Sequence, residues 1–97
     1  MFIDDKDRQL ILELKEQISM TLLEELIDPE VEALEDIHDA IDSLIVCNNE
    51  EEYIAVKDAV KSSILDIAYV LEVTTNYYVR KNILPLIDEL TADIIDD

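Results

Sequence analysis

The sequence predicts an all-α fold, a small up-down bundle of about four helices, and three observations carry that prediction. The chain contains no glycine and only two prolines, Pro29 and Pro85. Tight hairpins and sandwiches use glycine wherever φ must be positive, so its absence argues against an all-β chain. Apolar residues recur three and four apart almost throughout, which is the period of an amphipathic helix. Connectors of a few residues between segments of similar length make neighbours antiparallel.

The first segment carries Leu10, Leu14, Ile18, Leu22 and Leu26, flanked by Ile11, Leu23 and Ile27. Asp4 or Asp5 can cap its start. It is expected to stop near Ile27, because the residue before Pro29 is biased away from helix. Asp28-Pro29 then reads as a start, with Asp28 as N-cap and Pro29 in the first helical position. Leu34, Ile37, His38, Ile41, Leu44 and Ile45 form the second stripe, which ends around Cys47-Asn48. Asn49 can cap a third helix, where Glu50, Glu51 and Glu52 suit the positive end of the helix dipole. Its stripe is Tyr53, Val56, Val60, Ile64, Ile67 and Leu71. A break is expected at Thr74-Thr75-Asn76, and Ile83, Ile87, Leu90 and Ile94 continue to the end. Pro85 either starts the last helix or kinks one that begins near Tyr77, and a kinked or interrupted fourth segment is the expectation. The first segment is apolar over a wide arc (Leu10, Ile11, Leu12, Leu14), which leaves room for a homodimer.

Ninety-seven residues make one domain, residues 1–97, able to bury roughly 60 to 68% of its unfolded surface. An apolar share of 49% is too high for a disordered acidic tail. Twenty-five acids face seven bases, a formal charge of −18. That balance opposes direct binding to nucleic acid or to an anionic membrane and favours a basic partner. The start of the chain lacks the pattern of a signal peptide, and no apolar run approaches a membrane span. A lone cysteine, Cys47, excludes an internal disulfide and fits a reducing compartment, so bacterial or infected-host cytoplasm is the expected location.

Charge is unevenly placed. Between Lys15 and Lys57 there is no lysine or arginine. On the second helix Glu32, Glu35, Asp36, Asp39 and Asp42 all fall off the apolar stripe, with Asp28 before them and Glu50, Glu51 and Glu52 beyond. Residues three and four apart are neighbours on a helix, so these carboxylates form a ladder along one face. Like charges at that spacing each destabilise a helix by about 0.2–0.5 kcal/mol, and interleaved lysines would have stabilised it instead. The ladder reads either as a merely solvated or salt-adapted face, or as a binding surface. In its sharpest form it imitates the phosphates of a DNA strand, about 7 Å apart.

Asp36-Ile37-His38-Asp39-Ala40-Ile41-Asp42 resembles a Leu-His-Asp-Ala-Ile stretch of the Ocr-type phage antirestriction proteins, at a similar distance from the N-terminus. Those small, very acidic, largely helical proteins occupy the DNA groove of restriction enzymes by mimicking DNA, and phage anti-CRISPR proteins include acidic DNA mimics too. The resemblance spans seven residues, and the chain departs from the family's extended acidic C-terminal tail, ending in Asp96-Asp97. It implies an inhibitor that takes the place of DNA on a DNA- or RNA-binding enzyme or complex of host defence.

Catalytic constellations are weak. Glu35-x-x-His38 has the spacing of half a di-iron site, but there is one histidine and such a site needs two copies. His38 reads instead as a residue at the core edge, and no metal or cofactor is expected. Cys47 lacks a second histidine to activate it, and a phosphate loop is impossible without glycine. Tyr53, Tyr69, Tyr77 and Tyr78 suit core or interface positions, and Arg80 and Lys81 are expected to pair with neighbouring acids. An enzyme is the least supported class. The expectation is an inhibitor using Glu32, Glu35, Asp36, Asp39 and Asp42, extended by Asp28, Glu50, Glu51 and Glu52. The alternative is a helical adaptor or immunity-type protein that binds through an apolar patch with an acidic rim.

Overall fold

A computed structural model of the chain describes residues 5–74, 76–92 and 94. Among these the secondary structure is helical, with no strand. Helix α1 spans Asp5–Thr21, α2 Asp28–Ile45 and α3 Glu50–Glu72; a π-helical turn, Val79–Ile83, runs directly into α4, Leu84–Leu90. Asp4, Thr75, Asp96 and Asp97 lie outside the described residues.

Helix α1 ends well short of Ile27. Its chain exits through tightened turns, Leu23 N–H to Met20 O at 3.1 Å and Glu24 N–H to Thr21 O at 2.9 Å. A chain without glycine has no cheap left-handed cap, and tightening the last turn satisfies the open carbonyls instead. Leu22 and Leu26 still pack against the core, but from a connector rather than from a helix.

The start of α2 differs from the expectation by one residue. Ile27, extended at φ −84° and ψ 156°, occupies the cap position, so Asp28 is already helical and Pro29 is the second helical residue. Isoleucine offers no acceptor. The cap comes from inside the helix: Glu30 Oε1 accepts the Ile27 N–H at 3.2 Å. Pro29 costs nothing there, because the first four helical N–H groups have no partner within the helix.

Asn49 caps α3 as its position predicts. Its Oδ1 accepts the Glu52 N–H at 2.8 Å and its Nδ2 donates back to Glu52 Oε2 at 3.4 Å, a reciprocal pair in the manner of a capping box. The break at Thr74 and Asn76 is closed by side chains. Thr74 Oγ1 accepts the Asn76 N–H, and Asn76 Oδ1 accepts the Val79 N–H, each at 3.1 Å.

Pro85 explains the π turn. Proline has no N–H to give the carbonyl four residues back, and its ring crowds that carbonyl. The backbone widens just before it, so that Leu84 N–H reaches Val79 O five residues back. The fourth segment is thus interrupted near Pro85. Its helix stops at Leu90, where Thr91 Oγ1 donates to Ile87 O at 2.7 Å; Ile94 belongs to a turn beyond it.

The four segments close a ring. Helix α2 packs most extensively on α3, α1 on α2 and α4, and α3 on α4. Each helix lies beside its sequence neighbour and the last returns to the first, as in an up-down bundle. The core consists of the predicted stripes: Leu10, Leu14 and Ile18; Leu34, Ile37, Ile41 and Leu44; Tyr53, Ile64 and Leu71; Ile83, Ile87 and Leu90. The wide apolar arc of α1 is largely consumed, because Ile11 is buried and only Leu12 of that group faces outward.

Two polar ties lie within this ring. Lys61, only 1% exposed and in the middle of α3, donates to Asp7 Oδ2 of α1 at 2.8 Å, and Tyr53 O–H donates to the same oxygen at 3.2 Å. At the opposite end, buried Glu30 accepts from Thr74 Oγ1, which ties the start of α2 to the end of α3.

Candidate functional site: the outer face of α2

At about 100° per residue, Asp28, Glu32, Glu35, Asp36 and Asp39 fall within about 100° of the circumference of α2. Leu34, Ile37, Ile41 and Leu44 occupy the opposite arc and are fully buried. Burial of that stripe therefore fixes the acidic row outward. All five acids are exposed. With a rise of 1.5 Å per residue, the row from Asp28 to Asp39 is about 16 Å long, with side chains about 5–6 Å apart. Glu50, Glu51 and Glu52 are exposed at the start of α3, across the 46–49 connector, and Glu52 is engaged by Asn49.

Asp42 differs from the rest of the row. Lys15 of α1 lies 2.9 Å from its Oδ1, and the group is only 40% exposed. The hydrogen bond from the Lys15 ammonium holds the Asp42 carboxyl below the usual carboxylate range; partial burial opposes this, and the charges of Lys15 and His38 add to it. Its charge thus closes the α1–α2 seam. Other ion pairs among the described residues go to Asp7 and Asp58, not to Glu32, Glu35, Asp36 or Asp39. Glu30, within the same acidic stretch of sequence, is withdrawn altogether by its cap and its bond to Thr74.

His38 sits at the core edge, half-buried, with Nδ1 3.6 Å from Asp42 Oδ2, which is beyond hydrogen-bond length. His38, Asp39 and Asp42 bring ligand atoms within 4.8 Å of one another, so these three, rather than the Glu35-x-x-His38 spacing, are the convergent donors. A cation there would share Asp42 with the Lys15 ammonium, which lies on Oδ1 while His38 faces Oδ2. Cys47 donates its thiol to Ser43 O at 3.4 Å at the end of α2.

The small basic spot behaves differently from the expectation. Arg80 does not pair with an acid; its Nη1 donates to the carbonyls of Thr74 at 3.1 Å and Glu72 at 3.3 Å, completing the C-terminus of α3. Cations at a helix C-terminus complement its dipole. Lys81 donates to Tyr77 O–H at 2.8 Å and lies 5.2 Å over that ring.

A second surface emerges where α1 ends, α2 begins, α3 ends and the fourth segment starts. Leu23 and Val73 are 86% and 84% exposed there, and Met20, Ile27, Val70 and Tyr78 are exposed as well. Leu23 and Ile27, counted as stripe flankers by periodicity, point outward because α1 has already stopped. Three shallow hollows join these residues. One lies between Met20, Leu23 and Tyr78, with Glu24 at its edge; one lies between Ile27 and Val73, with Glu25; the third lies beside Val70, with Glu32 and Asp36. No helix of the described residues is long and apolar enough to cross a membrane.

Compared with known proteins, the chain matches no family model, no curated protein and no solved structure.

Proposed function

We propose that this chain is an acidic binding protein whose α2 outer face enters the basic nucleic-acid groove of a DNA-handling host-defence protein. The observation that carries this reading is the exposed row Asp28, Glu32, Glu35, Asp36 and Asp39, held outward by the buried stripe behind it. A rigid helix presents these charges without the ordering entropy a flexible acidic tail would lose on binding. The lysines and arginines of such a groove are arranged to neutralise a line of phosphates, and a line of carboxylates offers them the same sign at similar spacing. The resemblance of the stretch from Asp36 to Asp42 to Ocr-type antirestriction proteins points the same way, towards an inhibitor rather than an enzyme. Cytoplasm, bacterial or of an infected host cell, is where such a target resides.

Binding of this kind is steered by charge, fast at low salt and steeply weakened by added salt. The test starts from a pull-down on bacterial lysate in which duplex DNA competes for the captured protein. The combined variant Glu32→Gln, Glu35→Gln, Asp36→Asn and Asp39→Asn keeps the shape and removes four charges while leaving the Lys15–Asp42 pair intact. It is expected to keep its helical circular dichroism and to lose most of its affinity, mainly through association rate. Capture that DNA does not displace, or parental affinity of the variant at low salt, rejects the proposal.

A further inference from the structure

The apolar side chains at this end of the bundle have no role in the α2 reading, and their clustering is unusual for a free surface. Isolated exposed apolar residues are ordinary, but contiguous ones rimmed by polar groups mark interaction sites. Here Met20, Leu23, Ile27, Val70, Val73 and Tyr78 are contributed by α1, the 22–27 connector, the end of α3 and the start of the fourth segment. They line three hollows that follow one another along the chain, Glu24 in the first and Glu25 in the second, Glu30 in the second and Pro29 in the third. Each hollow includes a carboxylate: Glu24, Glu25, and Glu32 with Asp36. Among the described residues lining these hollows there is no lysine or arginine. The floor is tied in place: buried Glu30 fastens Thr74 and caps Ile27, and exposed Arg80 completes the end of α3 at the margin.

Charge decides what covers such a surface. A second copy would bring the same end towards itself, because a two-fold contact is self-complementary, and would set the acidic rim of one copy against the acidic rim of the other. A lipid surface carrying anionic headgroups meets the same repulsion. An amphipathic helix with apolar anchors on one face and lysines or arginines beside them satisfies both the floor and the rim. We infer that this end is a docking site for a basic amphipathic helix of a partner protein, adjoining the acidic row of α2 through Glu32 and Asp36.

The probe is a synthetic peptide of about 18 residues, five helical turns, with leucines at helical spacing and lysines elsewhere. Its control has the same composition with the leucines scattered, so that charge is equal and the stripe is lost. Affinities are measured at neutral pH by fluorescence anisotropy. The striped peptide is expected to bind about tenfold more tightly than its control, the scale of one well-buried apolar anchor. The double variant Leu23→Ser and Val73→Ser should erase that preference while its circular dichroism stays helical. If the pair disturbs folding, Leu23→Gln alone replaces it, since this side chain is nearly fully exposed. Equal binding of the two peptides, or a preference that survives the variant, overturns the inference. So does sedimentation of the parent as a dimer that the variant dissociates, or binding to vesicles containing phosphatidylserine that the variant abolishes.

Discussion

The two ends of the bundle are each tied by an acid, but by opposite means. At the end where α1 and α3 start, Asp7 meets the ammonium of Lys61, a charge on each side and nearly no solvent around the lysine. At the other end, Glu30 meets a neutral hydroxyl and a backbone N–H, and apolar side chains lie exposed beside it. The difference teaches where this chain is fragile. A buried ion pair is balanced only while both members are present, whereas an acid bonded to neutral donors can be lost at the cost of hydrogen bonds.

The largest expected effect therefore belongs to Asp7→Ala. It takes away the Asp7 carboxylate that buried Lys61 and Tyr53 share and should cost about 3 kcal/mol in denaturant unfolding. The paired change Asp7→Leu with Lys61→Met is the control, expected to cost less, because the buried ammonium is then removed together with the acid. If the two variants lose equal stability, packing rather than charge governs that end.

Glu30→Ala at the opposite end should cost less, about 1–3 kcal/mol, through the unmet Thr74 hydroxyl and the lost cap of Ile27. Hydrogen exchange localises it: faster exchange is expected at the Ile27 amide and around Thr74 rather than throughout the molecule. A loss as large as that of Asp7→Ala would remove the contrast between the ends.

The seam between them holds the part-exposed pair Lys15–Asp42, worth about 0.2–1 kcal/mol by the usual range for pairs in contact with solvent. The Asp42 carboxyl is depressed in the folded state, so its contribution is complete above the unfolded value near 3.9 and is lost as pH falls through the folded one. Lys15→Met should thus lower the unfolding temperature at pH 7 and make progressively less difference as acid protonates Asp42. An equal deficit at neutral and acid pH assigns the effect to packing of the Lys15 stem. Smallest of all, Leu23→Ser and Val73→Ser should each change stability by no more than about 0.5 kcal/mol, as expected for surface positions. A clear stability loss would mean that the apolar end belongs to the core.

What the sequence makes legible follows from how local each cause is. Asn49 and the three glutamates after it announce α3 within four residues, and its cap forms as expected. The stripe Leu34, Ile37, Ile41 and Leu44 fixes both the buried face of α2 and, by exclusion, the acidic row. The exit from α1 is less legible, because Leu22 and Leu26 keep helical spacing while packing from a connector. Lys61 is hidden for a different reason. Lysine is an ordinarily exposed residue, and the acid that buries it lies on another helix; its one local sign is its place three residues before Ile64, on the core side of α3. Glu30 is hidden among exposed acids of identical type, and what separates it from Glu32 is the Ile27 N–H and the Thr74 hydroxyl that it accepts from. The apolar end has no sequence signature at all, since it exists only where four chain segments stop together.

That apolar end also sets how the protein behaves as a colloid. At neutral pH every collision between two copies is a collision between strongly charged bodies of one sign, and the exposed leucine and valine stay apart. Near the isoelectric point, about 4.1, that mutual repulsion vanishes while the apolar surface is unchanged. Solubility should then fall to a minimum close to that pH, as association rises when net charge approaches zero. Light scattering through an acid titration should show a sharp rise there for the parent chain and a smaller one for the Leu23→Ser, Val73→Ser variant. Handling of the purified protein is thus governed by a handful of side chains at one end of the bundle, and acidic buffers are the ones to avoid.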